Sequence, residues 1–355
     1  MEKKFRKIGI LTSGGDAPGM NAVIKSVTCA AINRGVEVVG ILGGYSGLIH
    51  DRVRTLTKND VSDIESRGGT FLYSDRCDEF KYEEGMQKAI ATCKKHNIDG
   101  IIAIGGDGTF RGATDLSIRG VPCIGVSGTI DNDITASDIT VGYDTAMNTV
   151  MHLGDALRDT SESHARCMVI EVMGRNAGYI AIETGLALNA IGVAVQEKEF
   201  DTEALFAKMI EARNDGRRSF MVVVAEGLGA PFAEGLTKEI EQNTGIEARF
   251  VRPAHIVRGG VPTLADRNFA SKCGYKAVEL LLQGVSDVVV ISRHDKITHM
   301  EIKFALILDR MYKNKLKDGD LDKFSEAEIA EMKAICKERS DYFDQMYEIV
   351  NGVSC

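Results

Sequence analysis

The chain has 355 residues, 44% hydrophobic and 26% charged, a balance that excludes a disordered, collagenous or fibrous protein. With Lys+Arg 43 against Asp+Glu 51 the net charge is −8, which argues against non-specific nucleic-acid binding because that needs clustered cations. A local group of arginines can still reverse the field inside one cleft and admit an anionic substrate. No apolar run approaches the ~18 residues of a membrane helix, so no membrane partner is expected. The opening MEKKFRKIGIL lacks the apolar core and cleavage site of an export signal. The cysteines at 29, 77, 93, 123, 167, 273, 336 and 355 form no C-x-x-C and read as reduced thiols of a cytoplasmic protein. No zinc spacing stands out among the histidines.

Short apolar runs alternate with longer amphipathic ones. Ile8 to Leu11 reads as a buried strand, followed by a glycine-rich loop and then by Met20, Val23, Ile24, Val27 and Ala31 at helical spacing. Val36 to Leu42, Ile101 to Ile104 and Cys123 to Val126 are the next strands, and the last two lead into further glycine-rich loops. The second half continues with strands at Met168 to Val172, Ile191 to Val195, Phe220 to Ala225 and Val288 to Ile291. Helices are expected near 142–160, 177–189, 202–213 and 266–283. Such alternation predicts an α/β protein with mostly parallel sheets covered on both faces. From about 312 the chain is charged and helical. Ser325 and Glu328 fit a capping box, Phe324 and Ile329 a hydrophobic staple, and Ile329, Met332, Cys336, Phe343, Met346 and Val350 an apolar stripe. That stripe suits a helix packed on its own domain, or a subunit contact.

Four groups carry chemistry. Thr12-Ser-Gly-Gly-Asp-Ala-Pro-Gly-Met-Asn21 joins a strand to a helix, where glycines and a helix N-terminus can receive a phosphate or simply make a tight turn. It matches neither G-x-G-x-x-G nor the Walker A loop. Gly105-Gly-Asp-Gly-Thr109 places one acid between glycines after a strand, which suits a phosphate-bound Mg²⁺ better than a plain capping turn. Gly128-Thr-Ile-Asp-Asn-Asp133 also follows a strand. Asp131 and Asp133 are two apart, so an extended backbone puts both on one side, one to act as a base and the other to support a metal; a solvated acidic turn is the alternative, which the position after a second strand end disfavours. The fourth group is cationic: Arg166, Met173-Gly-Arg175, Arg249 and His255-Ile-Val-Arg258, whose guanidinium forks match phosphate oxygens, although each arginine taken alone suits a surface ion pair better. Glu226 closes an apolar run and can accept from sugar hydroxyls or cap its own turn.

Together TSGGDAPGMN, GGDGT, GTIDND, MGR, Glu226 and HIVRGGVPTLADR (255–267), with RGGTFL at 67–72 and DTSESHAR at 159–166, resemble the bacterial 6-phosphofructokinase family over about residues 5–310. The resemblance implies two three-layer αβα domains of phosphofructokinase-like fold with the active site in the cleft between them. Residues 1–142 plus 256–309 would form the nucleotide and Mg²⁺ domain. Residues 143–255 plus 310–355 would form the sugar-phosphate domain with its C-terminal helical extension. It implies ATP-dependent phosphorylation of the 1-hydroxyl of fructose 6-phosphate, a step of glycolysis. Gly15, Tyr45, Arg76, Cys77, Gly106, Asp107, Gly108 and Thr109 would line the nucleotide site, with Asp107 on Mg²⁺. Asp131 would be the base, supported by Thr129, Asp133 and Arg175. Thr129, Ile130, Asp131, Met173, Gly174, Arg175, Glu226, His255 and Arg258 would hold the sugar phosphate. Arg166 and Arg249 would reach a neighbouring subunit's substrate in a homotetramer.

Gly108 and Gly128 stand where pyrophosphate-dependent relatives tend to carry Asp and Lys, so the donor is expected to be ATP. A pyrophosphate-dependent phosphofructokinase and a non-catalytic sugar-phosphate sensor are the alternatives. NAD and diacylglycerol-type kinases share GGDGT but not TIDND or the HIVRGG-type loop. Ala254 and Val257 replace the family's usual Gly and Gln, Ser127 a common Pro, and Lys81 a frequent Arg. At the family's effector site this chain has Lys25, Cys29, Lys58, Arg158, Ile191, Asp215, Arg217 and Ser219. Ile191 replaces the usual metal-binding acid, so a degenerate site with weak or absent response to ADP and phosphoenolpyruvate is expected.

Overall fold

The computed structural model describes residues 5–354. The stretch 1–4, which opens the segment read above as lacking an export signal, and the Cys355 thiol lie outside the described residues. The strands are β1 (Lys7–Thr12), β2 (Glu37–Ile41), β3 (Val53–Leu56), β4 (Gly100–Gly105), β5 (Cys123–Ser127), β6 (Cys167–Val172), β7 (Gly192–Ala194), β8 (Phe220–Ala225), β9 (Ala248–Val251), β10 (Val288–Arg293) and β11 (Lys296–Glu301). The helices are α1 (Met20–Ile32), α2 (Gly44–Ile49), α3 (Glu83–Lys95), α4 (Asp107–Ile118), α5 (Tyr143–His164), α6 (Tyr179–Ala187), α7 (Thr202–Asn214), α8 (Ala230–Thr244), α9 (Leu264–Leu282), α10 (Ile302–Tyr312) and α11 (Glu326–Val353).

The chain divides into two compact units. One comprises 1–130, 134–144 and 258–336, the other 131–133, 145–257 and 337–355. Apart from two-residue shifts at 143–144 and 256–257, two segments fall differently from the division drawn on the sequence. Residues 310–336 belong with the first unit, where Met332 and Ile335 enter the core. The tripeptide 131–133 belongs with the second, through contacts of its own given below.

The first unit holds a seven-stranded sheet in the order β11-β10-β5-β4-β1-β2-β3. The five inner strands are parallel, and β3 and β11 pair antiparallel at the two edges. Alternate residues of one strand serve opposite faces. Ile101, Ala103, Val39, Ile41, Val289 and Ile291 share one apolar cluster with α3, α4 and α10. Ile102, Ile104, Ile8, Ile10 and Val290 lie outside that cluster and are equally buried, so both faces are covered, as the continuous apolar runs predict. The edge strands VRTL and KITHME are half polar and partly exposed, which is why no apolar run marks them in the sequence.

The second unit holds four parallel strands in the order β7-β8-β6-β9. Ile191 is 2% exposed and belongs to this unit's core, so it serves packing. Helix α11 begins with the capping box read from the sequence. The Ser325 amide donates to Glu328 Oε2 at 2.7 Å, and the Glu328 amide donates back to Ser325 Oγ at 3.3 Å. Phe324 packs edge-on against Phe304. Farther along the helix, Phe343 and Val350 are buried, and Phe343 meets Tyr179 edge-on at 5.3 Å between ring centres.

Candidate functional site

In the first unit β4 lies between β1 and β5, so the loops leaving their C-terminal ends stand side by side. Open parallel sheets collect ligands at such strand ends. Backbone and hydroxyl bonds tie the three loops together. The Ser13 amide donates to the Ile104 carbonyl at 3.0 Å, Thr109 Oγ1 to the Ser13 carbonyl at 3.0 Å, and the Gly128 amide to the Gly105 carbonyl at 2.9 Å. Gly105 is required by packing, because a Cβ there would lie 2.3 Å from Thr109 Oγ1 and 2.4 Å from the Ser13 carbonyl. Gly106 and Gly108 have the opposite character. A Cβ on either meets nothing within 4 Å, so the backbone around Asp107 faces open space.

Asp107 opens α4, and its carboxylate takes a 2.5 Å ion pair from Arg111 one turn along. Burial pushes the Asp107 carboxyl up; Arg111 opposes that, and the neighbouring Asp309 adds to it. Tyr45 is buried behind the same loop, stacked on Phe80, with its hydroxyl donating to the Thr109 carbonyl at 2.5 Å. It is therefore a support for the loop from within the core. Burial pushes its phenol well above the usual value. Arg76 is exposed and Cys77 half-buried, its thiol pushed up by burial. Gly15 sits against Arg258: a Cβ there would lie 2.7 Å from Nη1, which donates to the Asp16 carbonyl at 3.2 Å. The structure thus brings Arg258 to the first glycine loop. Thr129 is buried, its amide bound to the Val141 carbonyl and its own carbonyl accepting from Thr140 Oγ1 at 2.7 Å, and Ile130 is fully buried.

In the second unit β6 lies between β8 and β9, which sets Met173–Arg175, Glu226 and Arg252–His255 on adjacent strand ends. Glu226 accepts from the Gly174 amide at 3.1 Å and the Arg175 amide at 2.8 Å. Its side chain therefore holds the Met-Gly-Arg loop instead of capping its own turn. Charge-assisted bonds of this type contribute about 1.5–3 kcal/mol each. Gly174 has φ 143°, and a Cβ there would strike the Ala177 carbonyl at 2.4 Å. Arg175 and Ala254 have φ 53° and 50°, a region in which a side chain costs about 1–2 kcal/mol. Ala254 thus occupies a conformation for which glycine is better suited.

Asp131 is 1% exposed and stands 3.2 Å from Arg175 Nε. A buried carboxylate requires such a partner, and this one joins the TIDND loop to the Met-Gly-Arg loop. Asn132 turns the chain through φ 50° between Asp131 and the partly exposed Asp133. Met173, Glu226, Ala254 and His255 line a cavity of about 300 Å³, together with Glu171 and Arg252. Arg252 grips the buried Glu171 through two bonds, of 2.5 and 3.1 Å. The sequence reading missed this pair. Its signal is an acid inside the run Met168 to Val172, which burial forces to find a cation.

Arg166 and Arg249 are held within the chain. Arg166 Nε is 2.7 Å from Glu247, and Arg249 bonds both Glu247 and, at 3.4 Å, Glu241. The Arg166 hydrogen bond comes first in keeping the Glu247 carboxyl below the usual carboxylate range.

Among the described residues no three His, Cys, Asp or Glu side chains form a metal cluster, and no helix is long and apolar enough to cross a membrane. One carboxylate in a glycine cradle fits Mg²⁺, which takes one or two carboxylates and completes its shell with water and phosphate oxygens.

The class is therefore a two-unit α/β protein with mostly parallel sheets and its polar, glycine-rich loops gathered at the carboxyl ends of adjacent strands. A family model described as phosphofructokinase matches residues 7–281, and the chain belongs to that family. It is 48% identical over 298 residues to the ATP-dependent 6-phosphofructokinase of Bacillus licheniformis, covering 84% of this chain and 93% of that one. Over 314 residues it is 46% identical to the protein of the same name from Clostridium botulinum, covering 88% and 98%. Among solved structures, the phosphofructokinase of Saccharomyces cerevisiae superposes with TM-score 0.83 at 28% identity. That match covers 90% of this chain and 48% of the yeast chain, so the present chain spans about half of its length. A pyrophosphate-dependent phosphofructokinase from Marinobacter aquaeolei shares the fold, with TM-score 0.76 at 20% identity.

Proposed function

We propose that the chain is an ATP-dependent 6-phosphofructokinase that transfers a phosphoryl group to the 1-hydroxyl of fructose 6-phosphate. The observation that carries this reading is the buried Asp131 carboxylate beside Arg175, in a family whose bacterial relatives bear that name. Phosphoryl transfer needs positioning and charge neutralisation more than covalent help. Asp131 accepts the hydroxyl proton of the sugar. Arg175 balances its charge and, on loss of the proton, the charge passing to the phosphoryl oxygens. Glu226 fixes the Met173–Arg175 backbone and accepts from a sugar hydroxyl with its remaining lone pairs. His255 and Arg258 bind the sugar phosphate.

On the nucleotide side, the open backbone at Gly106 and Gly108, with Gly15 and Thr109, receives the polyphosphate, and Arg76 and Cys77 flank it. Thr129 contacts the transferring phosphate. Asp107, helped by Asp133, would hold Mg²⁺, which when bound would supply charge neutralisation to the phosphates. A coupled assay with fructose 6-phosphate, Mg²⁺ and either ATP or pyrophosphate tests the whole reading, and turnover with pyrophosphate alone would overturn it.

Two expectations follow from this site. Burial raises the Asp107 carboxyl, so a proton occupies it at a higher pH than an ordinary aspartate allows. Affinity for the Mg²⁺–nucleotide should therefore fall as pH drops from neutrality toward the carboxylate range. The sign for folding is opposite, because ionising a carboxyl whose folded value is raised lowers stability as pH rises. The KM for ATP measured against pH should climb on the acid side in the native enzyme and stay flat in Asp107→Asn; parallel curves would remove Asp107 from the metal. The second concerns assembly. Arg166 and Arg249 are assigned to a neighbour's sugar phosphate in a cytoplasmic homotetramer. Sedimentation of an active monomer would withdraw that role.

A further inference from the structure

The family match ends at residue 281, yet a helix well beyond it touches the loop that carries the proposed base. Arg339, on α11, is 9% exposed. Its Nη2 donates to the Asn132 carbonyl at 2.8 Å. The guanidinium also lies over the Tyr179 ring, 4.3 Å from its centre, and Phe343, one turn farther along α11, meets the same ring edge-on. Asn132 is the residue at φ 50° between Asp131 and Asp133. A left-handed conformation at a non-glycine position persists only where its surroundings over-determine it.

We propose that Arg339 is a positioning residue for the phosphoryl transfer: by holding the Asn132 carbonyl it fixes the left-handed turn that aims the Asp131 carboxylate at Arg175 and the sugar hydroxyl. The inference rests on reading Asp131 as the base. Arg339 acts through the Asn132 carbonyl. Its cation is clamped between an aromatic face and a backbone carbonyl, an arrangement that a planar fork fills and an ammonium fills only in part. The sequence carries a signal for it. Arg339 interrupts the apolar stripe of α11 between Cys336 and Phe343, three residues after the one and four before the other, so a charge is placed on the buried face.

The test compares Arg339→Met, Arg339→Lys, Tyr342→Phe and Asp131→Ser in the full chain. Tyr342 lies on the same helix and donates to Glu183 at 2.5 Å, so Tyr342→Phe removes a tether of α11 without touching the loop. Arg339→Met should lower kcat by about 10–100-fold, the loss produced by a small misplacement of a reacting group. The KM for fructose 6-phosphate should stay within about threefold of native by the same reasoning, since ground-state binding is not what is lost. Arg339→Lys should recover part of the rate, and Tyr342→Phe should match the native enzyme. Native kcat in Arg339→Met, or an equal loss in Tyr342→Phe, would overturn the proposal while leaving the assignment of Asp131 intact. Native kcat in Asp131→Ser would instead remove the assignment on which it rests. Should Arg339→Met not fold, Arg339→Gln takes its place and is read by the same two lines.

Discussion

Asp131→Ser is expected to lower kcat by about 10²–10⁴, the usual loss when a positioned base is removed, with the KM values for both substrates changed far less. The structure explains why the effect should be this selective. The carboxylate is buried and meets Arg175 from its own unit, so it contributes a charge and a proton acceptor at one point. The backbone that shapes the sugar-phosphate loop is held separately, by Glu226 on the Gly174 and Arg175 amides. Serine is smaller but keeps a polar group without the charge, and Arg175, half exposed, can turn to water once its partner is gone. Steady-state rates and direct binding of fructose 6-phosphate to the variant decide the matter. Weakened binding with a native kcat would make Asp131 a binding residue and leave the reaction without its base.

Gly108→Asp should reduce kcat/KM for ATP by about 10²–10³, because two like charges near 4 Å at an effective dielectric of ~20 repel by about 4 kcal/mol, less what the solvent screens. The variant should fold normally. Gly108 lies in the first turn of α4, is not among the residues of positive φ, and a Cβ there meets nothing within 4 Å. An added acid at a helix N-terminus is favourable in itself. The loss must then come from the ligand side, as repulsion of the nucleotide's inner phosphates. Gly108→Asn is the neutral control and should lose less than about tenfold by the same charge argument. Equal losses in the two variants would show that bulk, not charge, excludes the nucleotide. Gly128 offers no such clean test. A Cβ there would press on the Met20 methyl at 3.0 Å and on Ile104 at 3.1 Å, so a side chain would also disturb the core.

Most parallel strands were legible because both their faces are buried, which forces continuous apolar runs such as Ile101 to Ile104 and Phe220 to Ala225. The edge strands β3, β9 and β11 were not, since partial exposure lets polar residues interrupt their pattern. Ser325 and Glu328 announced the start of α11 because a capping box is local and its partners are three residues apart. Tyr45 shows the limit. Its place beneath the GGDGT loop depends on a partner 64 positions away, so the sequence reading could set it at the nucleotide but not reveal that its hydroxyl is spent on the Thr109 carbonyl.

The sequence by itself determined the alternation of strand and helix, the glycine loops and the presence of Asp107, Asp131, Asp133 and the arginines, because these are properties of short segments. Only the tertiary structure decided what each charge is paired with. Asp131 meets Arg175, Glu226 the Met-Gly-Arg backbone, Glu171 Arg252, and Arg339 the carbonyl of Asn132, 207 positions away. Strand order brings such groups together, and the cost of burying an unpaired charge or carbonyl makes the pairings obligatory; neither the order nor the partner is written in the neighbourhood of the residue itself.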